Sequence, residues 1–210
     1  MGIPVLVMGA SGSGKSTSMR TFKPGEVGII NVSGKPLPFR SEMKPFNSDS
    51  YEQITAALKK ASVKSLVIDD AQYLMANEYM RAANQTGYQK FTDIAVNFWT
   101  LIQTVVKALP DDSIVYFLSH TDTDAGGFTK MKTIGKMLDE KITIEGLFTI
   151  VLRAAASDGR YVFRTQTDGA DTAKSPMGLF AEMEIGNDLK AVDDAIREYY
   201  GIKTKMEEKK

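Results

Sequence analysis

The sequence predicts an α/β domain in which a mostly parallel sheet is flanked by helices. Three observations predict it. Short apolar runs alternate with helical stretches, the first run opens directly into a glycine-rich loop, and three runs end in polar residues that such a sheet gathers along one edge. With 210 residues the chain can build one full hydrophobic core, so a single domain is expected over residues 1–202, followed by a charged tail at 203–210.

Each element has its own signal. Residues 3–8 are an apolar strand ending at Gly9, and residues 15–21 can form a short helix before Lys23, Pro24 and Gly25 break it. Residues 27–32 form the next buried strand, followed by a loop that begins Ser33-Gly34-Lys35-Pro36-Leu37-Pro38 and runs to about residue 50. Residues 51–61 have helical spacing through Ile54, Ala57, Leu58 and Ala61, and 66–68 give a short buried strand ending in Asp69 and Asp70. The clearest helix is 88–109, where Phe91, Ile94, Ala95, Phe98, Leu101, Ile102, Val105 and Leu109 recur at three- and four-residue steps. Residues 114–118 form an interior strand running into Ser119 and His120, and 121–132 read as a polar loop holding Gly126 and Gly127. A further strand is expected at 147–152, a weakly alternating one at 161–165, turns over 167–176 and a closing helix at 189–200.

Composition narrows the function classes. Lysine plus arginine equals aspartate plus glutamate at 26 each, so no global field recruits nucleic acid, and any such surface is a local patch. The absence of cysteine removes disulfides, thiolate metal sites and cysteine nucleophiles, and the single histidine, His120, cannot build a zinc site alone. No apolar run approaches the roughly 18 residues of a spanning helix, and residues 3–8 lack the flanks of a signal peptide. A cytoplasmic protein with no membrane partner is expected.

The chemistry concentrates at residues 9–16. Gly9, Ala10, Ser11, Gly12, Ser13, Gly14, Lys15 and Ser16 match G-x-x-x-x-G-K-[ST] in full, between a strand and a helix. Glycines let successive N–H groups face a phosphate, and the following helix adds the partial positive charge of its first turn, where Thr17 lies. This pattern predicts ATP and Mg²⁺ as ligands: Lys15 bridges the β- and γ-phosphates and the Ser16 hydroxyl ligates magnesium. Asp69 is expected to support the metal from the neighbouring strand. Asp70 either polarises the attacking water or caps a helix, with Gln72 as a neutral alternative for holding the water. His120 either senses the γ-phosphate or is a satisfied structural residue.

These residues together resemble the phage-encoded, core-only RecA-like ATP-binding proteins, a group that includes single-strand annealing recombinases. The resemblance rests on residues 9–16, the strand at 27–32 running into Gly34-Lys35-Pro36-Leu37-Pro38, Val67-Ile68-Asp69-Asp70-Ala71, Val115-Tyr116-Phe117 before His120, Thr133-Ile134-Gly135-Lys136 and Lys174-Ser175-Pro176. It implies a RecA-like P-loop NTPase core, ATP-dependent work on single-stranded DNA in phage recombination or replication, and a homo-oligomer. It also implies a DNA-tracking loop carrying Lys130, Lys132 and Lys136, offset by Asp122, Asp124, Asp139 and Glu140, and a cation, Lys174 or Arg164, inserted into a neighbour's site. The bland counterparts are a solvated loop and surface cations.

Two departures stand out. RecA-like ATPases place a glutamate after the second strand, whereas here Asn31, Val32 and Ser33 occupy that place, leaving Asp70 as the substitute. Filament-forming relatives carry a polymerisation segment before the loop, whereas this chain enters its first strand at Ile3, so filaments are not expected. Two other functions share the same loop: a small-molecule kinase, for which no arginine-rich lid is visible, and a nucleotide-switched binding module with little hydrolysis.

Overall fold

The computed structural model describes residues 1–157 and 159–202; the expected tail at 203–210 lies outside them. In chain order the strands are β1 (Ile3–Gly9), β2 (Val27–Asn31), β3 (Phe46–Asn47), β4 (Ser65–Asp69), β5 (Ile114–Thr123), β6 (Thr129–Met131), β7 (Ile150–Ser157), β8 (Arg160–Arg164) and β9 (Glu184–Gly186). The α-helices are α1 (Tyr51–Lys60), α2 (Gln72–Arg81), α3 (Gln89–Ala108) and α4 (Leu189–Tyr199). A short 3-10 helix, Ser16–Thr21, follows the glycine loop.

The described strands form one nine-stranded sheet in the order β3-β2-β4-β5-β1-β7-β8-β9, with β6 paired to β5. From β3 to β7 every pairing is parallel; β8, β9 and β6 join antiparallel. The chain is therefore α/β with a mostly parallel, helix-flanked sheet. Among the described residues no helix is long and apolar enough to cross a membrane.

Side-chain alternation along the central strands divides the core in two. Leu6 and Met8 of β1, Leu66 and Ile68 of β4, and Val115 and Phe117 of β5 face the layer built by α1, α2 and α3. Val5, Val7, Val67, Tyr116 and Leu118 face Met19 of the 3-10 helix and Leu189, Val192 and Ile196 of α4. Ser50 caps α1 by accepting the Gln53 N–H, and Asp188 caps α4 by accepting from Lys190 and Ala191.

The structure corrects several expectations. α2 is an addition without a helical apolar period: its fully buried apolar residues, Leu74 and Met75, are adjacent, and its apolar run covers 73–76 without a break. The expected polar loop at 121–132 is instead a hairpin: β5 continues to Thr123, and Thr121, Asp122 and Thr123 pair with Met131, Lys130 and Thr129. Polar side chains on both faces concealed that strand, whose backbone pairing alone defines it. The strand expected at 147–152 begins at Ile150, since Leu147 belongs to a 3-10 turn, and it continues to Ser157 because β8 pairs with it. β3 and β9 are edge pieces of two and three residues with little burial.

Candidate phosphate and metal site

β1 is buried from Pro4 through Gly9, so its carboxyl end is rigidly held where the glycine loop starts. Glycine is required at position 9 by space: a Cβ there would lie 2.4 Å from Ser13 Oγ and 2.6 Å from the Ala154 carbonyl oxygen of β7. Gly12 and Gly14 take φ of 78° and 89°, the left-handed region that winds the loop back on itself. The 3-10 helix after the loop is tied to the start of α4, with Arg20 donating to the Asn187 carbonyl at 2.7 Å and Thr21 to Asp188 at 2.6 Å.

Lys15 lies over this loop. Its ammonium donates to the Gly9 and Ala10 carbonyls at 2.8 and 2.9 Å, and burial pushes its pKa down to about 8 against the pull of Asp70 and Asp69. Ser16 Oγ donates to Asp69 Oδ1 at 2.7 Å across 53 residues of chain. Asp69 is itself buried, and desolvation pushes its carboxyl up to about 6, with the Ser16 bond opposing. A buried cation resting on backbone carbonyls beside a part-buried hydroxyl–carboxylate pair can accept an anion and a divalent cation together. Ser13 Oγ and both amide atoms of Asn187, which packs against Gly14, find no hydrogen-bond partner among the described residues. Those features fit a phosphate chain with magnesium held by Ser16 and Asp69. Among the described residues no group of three or more His, Asp or Glu side chains could enclose a metal by itself.

Asp69 does not come from a strand next to β1, as expected. β5 stands between β1 and β4, and its register sets His120 level with Gly9. Ser16 still reaches Asp69 because it opens the 3-10 helix, whose Met19 belongs to the same buried cluster as Val67 of β4 and Ile29 of β2. The interposed strand also delivers His120 between the loop and β4. His120 Nε2 lies 3.5 Å from Asp70 Oδ1, and Tyr73 meets the imidazole edge-on at 5.7 Å.

Asp70 adopts φ 59°, a strained conformation for a non-glycine residue, and turns its carboxylate to His120 rather than over α2. The helix begins after Ala71 with no side-chain cap, so the capping role is excluded. The imidazole, then Ser33, hold the Asp70 carboxyl below its ordinary range against desolvation. That makes Asp70 a weaker proton acceptor than an ordinary aspartate and suits it to orienting His120. Gln72 is buried within α2.

A cleft of about 390 Å³ joins these groups, lined by Ser11, Gly12, Gly14, Lys15, Ser16, Thr17, Asp70 and His120. Three further liners were missed as site residues: Lys35, Pro38 and Tyr161. Lys35 and Pro38 follow β2, and the rule that ligands sit beyond parallel strand ends could have found them. Tyr161 lies on antiparallel β8, opposite Ala156, where no local signal exists.

The other candidates are placed elsewhere. Lys130 is on β6 and pairs with Asp139; Lys136 pairs with Glu140 at 3.5 Å; Lys132 has no ion pair among the described residues and is exposed. Arg164 is held by Asp168 and Glu184 at 3.1 and 3.2 Å. Lys174 is not on a free hairpin: its backbone exchanges hydrogen bonds with Val151 of β7 at 2.9 and 2.8 Å. Neither cation lines the cleft of its own chain.

No family model matches the chain, and no significant match was found among curated proteins.

Proposed function

We propose that this chain is a magnesium-dependent ATPase with a RecA-like P-loop core. The observation that carries the reading is the convergence of Lys15, folded onto the loop carbonyls, with the Ser16–Asp69 bond at 2.7 Å. In this reading Lys15 leaves the Gly9 and Ala10 carbonyls for the β- and γ-phosphates, the amides of Ser11, Gly12, Ser13, Gly14 and Thr17 wrap the chain of phosphates, and Ser16 and Asp69 hold Mg²⁺. A bound magnesium ion supplies positive charge to the phosphate oxygens. His120, oriented by Asp70, faces the terminal phosphate from β5, and Tyr161 offers a half-exposed ring to the base.

Action with single-stranded DNA, in a cytoplasmic homo-oligomer, belongs to the same proposal. What supports it is continuity: β5 carries His120 straight into the hairpin whose second strand bears Lys130, and the His120 carbonyl accepts the Lys132 N–H at 2.8 Å. Pairing of Lys130 and Lys136 with acids leaves Lys132 as the hairpin's free charge among the three. The test is ATP turnover with and without single-stranded DNA across protein concentrations. Turnover that needs magnesium and rises with DNA is expected; protein without magnesium-dependent affinity for any nucleoside triphosphate refutes the proposal.

A second reading, a nucleotide-switched module with slow hydrolysis, is favoured by Asn31, whose amide is committed to the loop after β2 where a catalytic acid is absent. Slow turnover that DNA does not change distinguishes it. The kinase reading is disfavoured by a cleft with no arginine among its described lining residues.

A further inference from the structure

The cleft has a direction. Across the carboxyl edge, sheet order runs from β2 through β4, β5 and β1 to β7 and β8, which sets Lys35, Asp70, His120, the glycine loop and Tyr161 in that sequence. Ser16 and Asp69 would hold magnesium, whose charge would draw the terminal phosphate toward β4 and β2 and leave the base toward β8.

Lys35 therefore stands at the terminal-phosphate end, and it is built to stand there. Asn31, buried at the end of β2, donates from its amide nitrogen to the Lys35 carbonyl at 2.6 Å and accepts the Gly34 N–H at 2.9 Å. Gly34 takes φ 66°, so the chain turns back over the edge. The Lys35 ammonium rests 5.3 Å from the centre of the Tyr73 ring, near enough to Asp70 to act on its charge. An exposed ammonium over a half-buried ring is held by only about 0.5–2 kcal/mol, so a phosphate can draw it away. Charge balance points the same way. Asp69 and Asp70 cancel Lys15 and leave net negative charge where a negatively charged magnesium triphosphate must bind, and Lys35 removes that excess.

We propose that Lys35 contacts the terminal phosphate in cis and makes the cleft discriminate ATP from ADP, with Asn31 as its positioning residue. The proposal rests on the nucleotide reading above. It also supplies within one chain the cation that the resemblance assigned to a neighbour's Lys174 or Arg164.

The test is binding of ATP and ADP, each with magnesium, to the full chain carrying Lys35→Gln, Lys35→Arg, Asn31→Ala or Lys15→Ala. Lys35→Gln is expected to weaken ATP by about 10- to 100-fold, the range for losing a charge-assisted bond, while ADP affinity stays within about twofold. Lys35→Arg restores most of the ATP affinity, and Asn31→Ala weakens ATP more than ADP. Unchanged ADP affinity shows that the Lys35 variants are folded, and circular dichroism melts like wild type show it for Asn31→Ala and Lys15→Ala. If wild type binds both nucleotides, Lys15→Ala binds neither well, and Lys35→Gln leaves ATP untouched or weakens both equally, the assignment of Lys35 is overturned alone. If wild type binds neither, or Lys15→Ala binds both as wild type does, the nucleotide reading itself falls.

Discussion

Replacing Gly9 by alanine tests whether the loop's start is as tightly built as its geometry requires. The added methyl would meet the Ala154 carbonyl at 2.6 Å and Ser13 Oγ at 2.4 Å, and the first of these is backbone of β7, which cannot rotate away. β1 and β7 would have to separate by several tenths of an ångström at the point where Met8 pairs with Arg153. Overpacking of that kind costs about 1–3 kcal/mol, and for a chain of this size each kcal/mol lowers Tm by about 2–4 °C. The shift also displaces the start of the loop whose amides take the phosphates in the proposed complex, so ATP affinity should fall by about tenfold or more, the worth of one charge-assisted hydrogen bond. Thermal melts and ATP titrations of Gly9→Ala and of Gly9→Ala combined with Ser13→Ala separate the two contacts. Removing the serine hydroxyl should restore little, because the carbonyl remains. Gly9→Ala with the wild-type Tm and ATP affinity, or full rescue by Ser13→Ala, would refute the argument.

Other consequences are equally direct. Asp69→Asn should abolish most of the gain in ATP affinity that magnesium brings, about 10- to 100-fold, while affinity in excess chelator does not fall, since a negative charge has been removed; an unaltered magnesium titration speaks against a metal role. Tyr161→Ala should weaken ATP by about 5- to 150-fold, the worth of one base–aromatic stack, with Tyr161→Phe close to wild type in the same titration. Equal affinities for all three proteins would remove Tyr161 from base contact. Asp193 accepts from Ser65 at 2.9 Å, Tyr116 at 2.9 Å and Arg197 at 2.8 Å beneath α4. Asp193→Ala leaves the Arg197 charge buried without its partner, so urea unfolding should show a loss of about 3–5 kcal/mol; a loss under about 1 kcal/mol would mean that the network relaxes freely.

Much of this architecture is readable without coordinates where the signal is local. α1, α3 and α4 announce themselves by apolar spacing, and β1, β4 and the start of β5 by short apolar runs, because each buries a face that only one periodicity can supply. α2 escaped because its apolar residues run consecutively over 73–76 rather than recurring at helical steps, and the extension of β5 escaped because its far half is held chiefly by cross-strand backbone bonds that carry no apolar signature. Lys35 was visible as part of a run but not as a cleft residue, since its place depends on β2 lying two strands from β5. Tyr161 depended on a hairpin folding back over the loop.

What residues 9–16 determined by themselves is a tight phosphate-sized turn, because three glycines supply backbone freedom and close approach within eight consecutive positions. Only the tertiary structure decided what surrounds that turn. Strand order is a product of hydrogen bonding and face-to-face burial between segments far apart in the chain, and it interposed β5 between the loop and Asp69, carried His120 to the level of Gly9, and set Lys35 and Tyr161 at opposite ends of one cleft.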